Sequence, residues 1–268
     1  MEKNIKLDQF FEKMWLDYCA MNPQAKSVYD ALSGVGEEVV NDHIAFRTFS
    51  HSAINIERLA PHFTKYGYKW VADYTFVEKK LSAKHFEHDN PNYPKVFISE
   101  LNLNLVSADV RNIVDVIVAD MNLDILKDES FLYKGRPWSA SIEIYNKLAL
   151  ESEYAAWVYA HGYRPNHFTV YINYLKKLST IEKLNQFLKD QGFPLNTSGG
   201  EIKGSAAELL EQSSTMANQI DVQFKEGKFK VPACYYEFAK RYPLQNGKLF
   251  QGFIGKSADK IFESTHKI

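Results

Sequence analysis

The chain has 268 residues, 45% hydrophobic and 24% charged, an ordinary globular composition long enough for one large core or two smaller ones. A net charge of −1 and a pI near 6.7 supply no field toward nucleic acid or anionic lipid, so neither is expected as a partner. No stretch approaches the roughly 18 apolar residues of a membrane span. The opening Met1-Glu2-Lys3-Asn4 leads into an amphipathic pattern rather than an apolar signal core, and a cytoplasmic, soluble protein is the expectation. Cys19 and Cys234 are too few for a disulfide framework or a thiolate cluster, and read as small buried hydrophobes.

Residues 5–33 carry helical spacing through Leu7, Phe10, Phe11, Met14, Trp15 and Tyr18, interrupted at Asn22-Pro23. Residues 42–49 alternate as a strand. Helical period returns from Ile56 to Tyr66 and stops at Gly67. Strands follow near 69–79, 84–88 and 95–101, with a turn at Asp89-Asn90-Pro91-Asn92. Residues 107–160 are mostly helical in pattern, with a turn at Gly135-Arg136-Pro137. A polar loop at Asn196-Thr197-Ser198-Gly199-Gly200 interrupts the last third. No Pro-, Gly- or Ser-rich linker is long enough to separate independent domains.

Two stretches repeat one another. Asp42-His43-Ile44-Ala45-Phe46-Arg47 precedes Ile56-Glu57-Arg58-Leu59, with Gly67 eleven residues beyond Ile56. Asn166-His167-Phe168-Thr169-Val170-Tyr171 precedes Ile181-Glu182-Lys183-Leu184, with Gly192 eleven residues beyond Ile181. Each copy ends in an apolar run holding one carboxylate, Glu100 in the first and Glu237 in the second. The reading is one metal-binding domain over 1–268. It comprises two related modules, roughly 40–105 and 164–242, and a helical insertion at 107–160. The fold class is α+β, two βαβββ-like modules making a curved mixed sheet with helices packed outside.

Side chains of a strand alternate. His43, Ala45 and Arg47 therefore share one face of the first strand, and the apolar Ile44 and Phe46 the other. His167, Thr169 and Tyr171 repeat this, and Tyr235 and Glu237 oppose Cys234, Tyr236 and Phe238. If these faces line a curved sheet, His43, His167 and Glu237 converge. Two imidazoles and one carboxylate on one side of a cation are the ligand set of non-haem Fe(II) oxygenases, leaving positions for a bidentate substrate and dioxygen. The same set serves catalytic zinc with an activated water, and ligand type does not separate the two. The bland alternative is a solvated polar strand face.

Glu100, matched to Glu237 by the repeat, is a candidate fourth ligand or an acceptor for an imidazole N–H. Arg47, a permanent cation beside the metal, is a candidate to receive a substrate carboxylate, a structural salt bridge being the alternative. Gln212 and Ser213, in the polar run Gln212 to Ala217, are candidates to hydrogen-bond substrate, or else a helix end with ordinary caps. Arg136, Arg164 and Arg241 read as structural or solvated. His51, His62, His85, His88, His161 and His266 read as surface residues. No phosphate-cradling glycine loop and no Gly-x-Ser-x-Gly elbow occurs.

With those residues in hand, the chain resembles the 2-oxoadipate dioxygenase/decarboxylase family. The resemblance rests on Asn41 to Phe49, Phe97-Ile98-Ser99-Glu100-Leu101, Asn166-His167-Phe168-Thr169, Gln212-Ser213-Ser214 and Tyr235-Tyr236-Glu237-Phe238. It implies a vicinal oxygen chelate-like half-barrel, Fe(II) held by His43, His167 and Glu237, and Arg47 near the substrate. The implied reaction takes a 2-oxo acid and dioxygen, loses CO2 and hydroxylates the remaining chain, giving 2-hydroxyglutarate from 2-oxoadipate. Zinc hydrolysis at the same site and non-catalytic small-molecule binding are the rival expectations. The sequence leaves the oligomeric state open.

Overall fold

A computed structural model of the protein describes residues 2–255, with side chains from residue 5 onward. His266 lies outside the described residues. Two N-terminal helices, α1 (Glu2–Met21) and α2 (Pro23–Gly34), precede the first module. That module comprises β1 (Asn41–Phe49), the short helices α3 (Ile56–Leu59) and α4 (Pro61–Thr64), β2 (Lys69–Phe76), β3 (Leu81–Glu87) and β4 (Lys95–Leu101). Helices α5 (Ala108–Asp120), α6 (Ile142–Glu151) and α7 (Glu153–His161) separate it from the second. The second module comprises β5 (His167–Tyr171), α8 (Ile181–Asp190), β6 (Lys203–Ser205), β7 (Leu210–Ser214), the hairpin β8 (Gln219–Phe224) and β9 (Gly227–Pro232), and β10 (Glu237–Arg241).

Eight strands form one sheet in the order β2-β3-β4-β1-β5-β10-β7-β6. Outward from the centre, each half runs first, last, third and second strand of its module, so the halves are related by a pseudo-twofold axis. That axis passes between β1 and β5, which pair antiparallel with Ala45 level with His167 and His43 level with Thr169. The outermost strands, β2 and β6, stand at opposite ends of this order and are not hydrogen-bonded neighbours, leaving a half-barrel. The β8–β9 hairpin forms a separate two-stranded sheet and is an addition to the second module that the repeat did not foretell.

Local chemistry explains why the modules share a shape. Asn55 accepts from the Arg58 amide at the start of α3, and Thr180 accepts from the Lys183 amide at the start of α8, each satisfying an amide with no partner inside the helix. Gly67 and Gly192 follow these helices at φ +107° and +81°, backbone that side chains with a Cβ disfavour. A Cβ at Gly67 would also lie 3.2 Å from His88 Nε2.

The outer face of the sheet holds much of the core. Phe46 packs on Phe63 at 5.2 Å between ring centroids, as the alternation predicts. Helix α1 spans both modules there: Phe10 meets Phe63 at 5.7 Å, and Trp15 and Tyr18 meet Phe168 at 5.1 and 4.9 Å. Each large side chain so buried contributes roughly 1.5–3 kcal/mol. The segment after α5 also packs outside, where His62 meets Leu126 O at 2.9 Å and the Phe131 ring at 5.0 Å. Helix α7 differs. Its Tyr154 hydroxyl bonds Ser99 and the Thr48 amide, and Tyr154 and Trp157 flank Arg47, so it closes one end of the inner face. Among the described residues, no helix is long and apolar enough to cross a membrane.

Several sequence expectations change on folding. His62, His85 and His161, expected at the surface, are buried at 6, 1 and 3% exposure, because other elements cover them and supply their partners: Leu126 O, the Tyr74 hydroxyl and Pro232 O. The polar run from Gln212 to Ala217, for which a helix end was the alternative reading, begins on strand β7 (Leu210–Ser214), paired with β10. Cys234 is fully buried, whereas Cys19 is only partly so.

Candidate metal centre

Strand alternation and curvature bring three donors together on the inner face. His43 on β1, His167 on β5 and Glu237 on β10 are 2, 4 and 1% exposed. Their potential ligand atoms all lie within 4.8 Å of one another. His43 Nε2 is 3.4 Å from His167 Nε2 and 3.6 Å from Glu237 Oε1, and His167 Nε2 is 3.3 Å from Glu237 Oε2.

The residue before each histidine fixes its ring. Asp42 Oδ2 faces His43 Nδ1 at 2.8 Å, and Asn166 Oδ1 faces His167 Nδ1 at 3.1 Å. An oxygen acceptor at Nδ1 places the ring proton there and leaves Nε2 with a lone pair. Two lone pairs and a carboxylate thus point at one spot. Thr169 Oγ1 lies 3.1 Å from His43 Nε2, and Gln212 Nε2 donates to Glu237 Oε1 at 2.5 Å. Those two donors do not neutralise a buried acceptor cluster, which is costly without a cation.

The electrostatics agree. Burial pushes the Glu237 carboxyl up to about 8, against the lowering effect of its Gln212 bond. Burial lowers both imidazoles, His43 against the opposing pull of Asp42, and His167 with help from the charges of His43 and Arg47. Neutral imidazole is the ligating form, and a cation among the donors would restore a carboxylate at Glu237. The donor set therefore fits a divalent metal.

Arg241, read from sequence as structural or solvated, is structural and fully buried. Its Nε and Nη2 donate to Asp42 Oδ1 and Oδ2 at 2.6 and 2.8 Å. Burial alone would raise Asp42, but Arg241 and Lys95 hold it well below the usual carboxylate range. The result is a chain Arg241–Asp42–His43 aimed at the donor cluster. The Asx-His doublets were the sequence signal for Asp42 and Asn166. Nothing local announced Arg241, 199 residues from its partner.

Arg47 is 2% exposed, on the inner face four residues beyond His43. Its guanidinium carbon lies 5.0 Å from the Tyr154 ring and 5.2 Å from the Trp157 ring, stacking that suits a desolvated guanidinium. Tyr235 stacks on His167 at 4.7 Å and 26°, and the Arg47 charge acts on both.

Two candidates fall elsewhere. Glu100 sits on the outer face, its Oε2 accepting from the Ile56 amide at 3.0 Å. Register explains this. Glu237 is level with Thr169, whose counterpart Ala45 is level with Phe97, so the counterpart of Glu237 is Phe97. Glu100 lies three residues further on, an odd step that turns it to the other side. Ser213 likewise points outward, donating to Asn185 Oδ1 on α8 at 2.7 Å, while its neighbour Gln212 points inward to Glu237.

The family model of 2-oxoadipate dioxygenase/decarboxylase matches residues 12–251. The chain belongs to that family. It is 36% identical to the chloroplastic 2-oxoadipate dioxygenase/decarboxylase of Arabidopsis thaliana, over 92% of this chain and 74% of that protein. The crystal structure of the Oryza sativa hydroxyglutarate synthase in complex with 2-oxoadipate superposes with a TM-score of 0.92 at 31% identity, covering 99% of this chain and 93% of that one. A Shewanella frigidimarina protein provisionally named a hydrolase is 48% identical, with a TM-score of 0.89 over 92% of this chain and 97% of that one. A provisionally named glyoxalase-superfamily protein of Ralstonia eutropha, 18% identical with a TM-score of 0.73 over 90% of this chain and 83% of that one, shares the half-barrel fold.

Removing the orienting contact without touching a donor tests the site. Asn166→Ala should weaken cobalt(II) binding by roughly 10–100-fold with the fold intact, measured by titration calorimetry. An unchanged Kd would remove Asn166 from the site.

Proposed function

We propose that this family member binds Fe(II) through His43, His167 and Glu237. With dioxygen it converts a 2-oxo dicarboxylic acid to the 2-hydroxy acid one carbon shorter, plus CO2. For 2-oxoadipate the product is 2-hydroxyglutarate, and one O2 balances the equation. The observation that carries this reading is the buried convergence of two imidazole lone pairs with one carboxylate, a set that leaves neighbouring positions open. The 2-oxoadipate named with the rice structure supports the substrate class.

Bound Fe(II) would supply the one-electron chemistry that lets dioxygen react with a closed-shell organic acid. The protein's own contribution is geometric and electrostatic. Asp42 and Asn166 keep each Nδ1 protonated and each Nε2 directed at the centre. Gln212 holds Glu237 in place. Arg47, fixed between Tyr154 and Trp157, offers a cation on the same inner face for the distal carboxylate, orienting the acid with its 2-oxo end toward the donors. The aromatic lining keeps bulk water from this region, which strengthens every charge interaction within it.

The name of the Shewanella relative favours a second reading, hydrolysis by a zinc-activated water. Such a reaction needs a base beside the metal. Of the two carboxylates matched by the repeat, Glu100 faces the other side of the sheet and Glu237 is itself a donor, so the oxidative reading is preferred.

The deciding assay supplies Fe(II), dioxygen and 2-oxoadipate. Oxygen consumption, CO2 release and 2-hydroxyglutarate formation should run 1:1:1. Activity retained under nitrogen with zinc would instead establish the hydrolase. Arg47→Ala should keep its iron yet lose about 2–5 kcal/mol in kcat/KM, the cost of leaving a buried charge unpaired. An unchanged kcat/KM would take Arg47 out of the substrate site.

A further inference from the structure

At the end of the inner face opposite Arg47, the chain returns after β10 and crosses the sheet. Phe253 lands there. Its ring stands edge-on to the His43 imidazole, 4.8 Å between centroids at 89°. It also packs against Phe97 at 4.8 Å, His85 at 5.4 Å and Tyr74 at 5.8 Å. Phe97 is the pseudo-twofold counterpart of Glu237, so Phe253 lies across the donor cluster from that carboxylate. The residue is only partly buried.

The segment is held from both sides. The Phe253 amide donates to the Tyr74 hydroxyl at 3.3 Å. Arg241 Nη1 donates to Phe250 O and Gly252 O at 3.0 and 2.8 Å, and its guanidinium carbon sits 5.4 Å from the Phe253 ring. One guanidinium thus orients Asp42 behind His43 with two of its nitrogens and pins this strap with the third. A cleft of about 1110 Å³ lies alongside, lined by Leu249 and Gln251 of the strap together with Glu87, Lys95 and Tyr171. Lys95 reaches Asp42 Oδ1 at 3.8 Å, so the cleft comes within one residue of His43.

We propose that Phe253 is a positioning residue of the metal centre, the seal that keeps solvent of this cleft from the His43 side of the donor cluster. An apolar ring is suited to this role. It blocks water without offering a competing ligand, and its edge-on contact fixes the His43 plane. The inference rests on the metal site proposed above, and its test separates the two.

Cobalt(II)-loaded wild type, Phe253→Ala and Phe253→Tyr would be challenged with excess EDTA, and metal release followed by absorbance, with Tm recorded for each. Phe253→Ala should load one equivalent and release it faster, by roughly tenfold or more, and Phe253→Tyr should restore slow release. With Fe(II) and 2-oxoadipate, Phe253→Ala should lower kcat while KM, set at the Arg47 end, stays near the wild-type value. Equal release rates in all three proteins would overturn the seal. So would an Ala effect that Tyr fails to rescue, or wild type that binds no cobalt. If wild type binds cobalt but turns over no 2-oxo acid, the proposed reaction fails, and the release rates alone then decide for or against Phe253.

Discussion

The structure is organised around a repulsion. Two imidazole lone pairs and a carboxyl group, all nearly dry, bring their ligand atoms within 4.8 Å of one another, and Thr169 and Gln212 face them with donors. Sheet pairing fixes the backbone positions of all three. The protons that would relieve the histidines are held on their far nitrogens by Asp42 and Asn166. Without a cation, burial pushes the Glu237 carboxyl up to about 8, so the site gives up its carboxylate at neutral pH and leaves the two lone pairs poorly matched. Placed around a divalent metal, each of these features becomes favourable.

The pseudo-twofold frame shows how duplication was turned into asymmetry. Both modules bring a histidine to the central seam on equivalent strands. Only the second brings a carboxylate, at Glu237, where the first places Phe97. One side of the centre is thereby polar, with Glu237 and Gln212. The other is aromatic, with Phe97, Phe253 and Tyr74. At the far end of β1, α7 adds Tyr154 and Trp157 around Arg47. The donor cluster and the Arg47 guanidinium thus share the inner face, with Tyr235 stacked on His167 and subject to the Arg47 charge.

What could be read from the sequence was what local pattern controls. Strand alternation assigned His43, Arg47, His167 and Glu237 to one kind of face, and glycine spacing located the ends of matching helices. The Asx-His doublets were noticed as a repeat, though their purpose, fixing each ring's proton, emerges only with the distances. The failures share one cause, which is register between strands distant in the chain. Glu100 was paired with Glu237 because both close an apolar run, yet they stand an odd number of residues apart in the aligned ladders and face opposite ways. Ser213 shares its polar run with Gln212, yet a one-residue step separates inside from outside. Arg241 and Phe253 lie outside the repeated motifs, and their significance comes from contacts with strands of the first module: β1 for Arg241, and β1 to β4 for Phe253. The burial of His62, His85 and His161 has a different origin: each is covered by a neighbouring element that supplies its partner, Leu126 O, the Tyr74 hydroxyl and Pro232 O.

The central claim is that these three side chains hold one metal ion. Metal analysis of anaerobically purified protein tests it directly, comparing wild type with His167→Ala, Glu237→Ala and Glu100→Ala. The account predicts one iron per wild-type chain after Fe(II) loading, a near-complete loss in the first two variants, and full occupancy in Glu100→Ala. Iron retained at the wild-type level by His167→Ala, or lost with Glu100→Ala while its fold is intact, would contradict it.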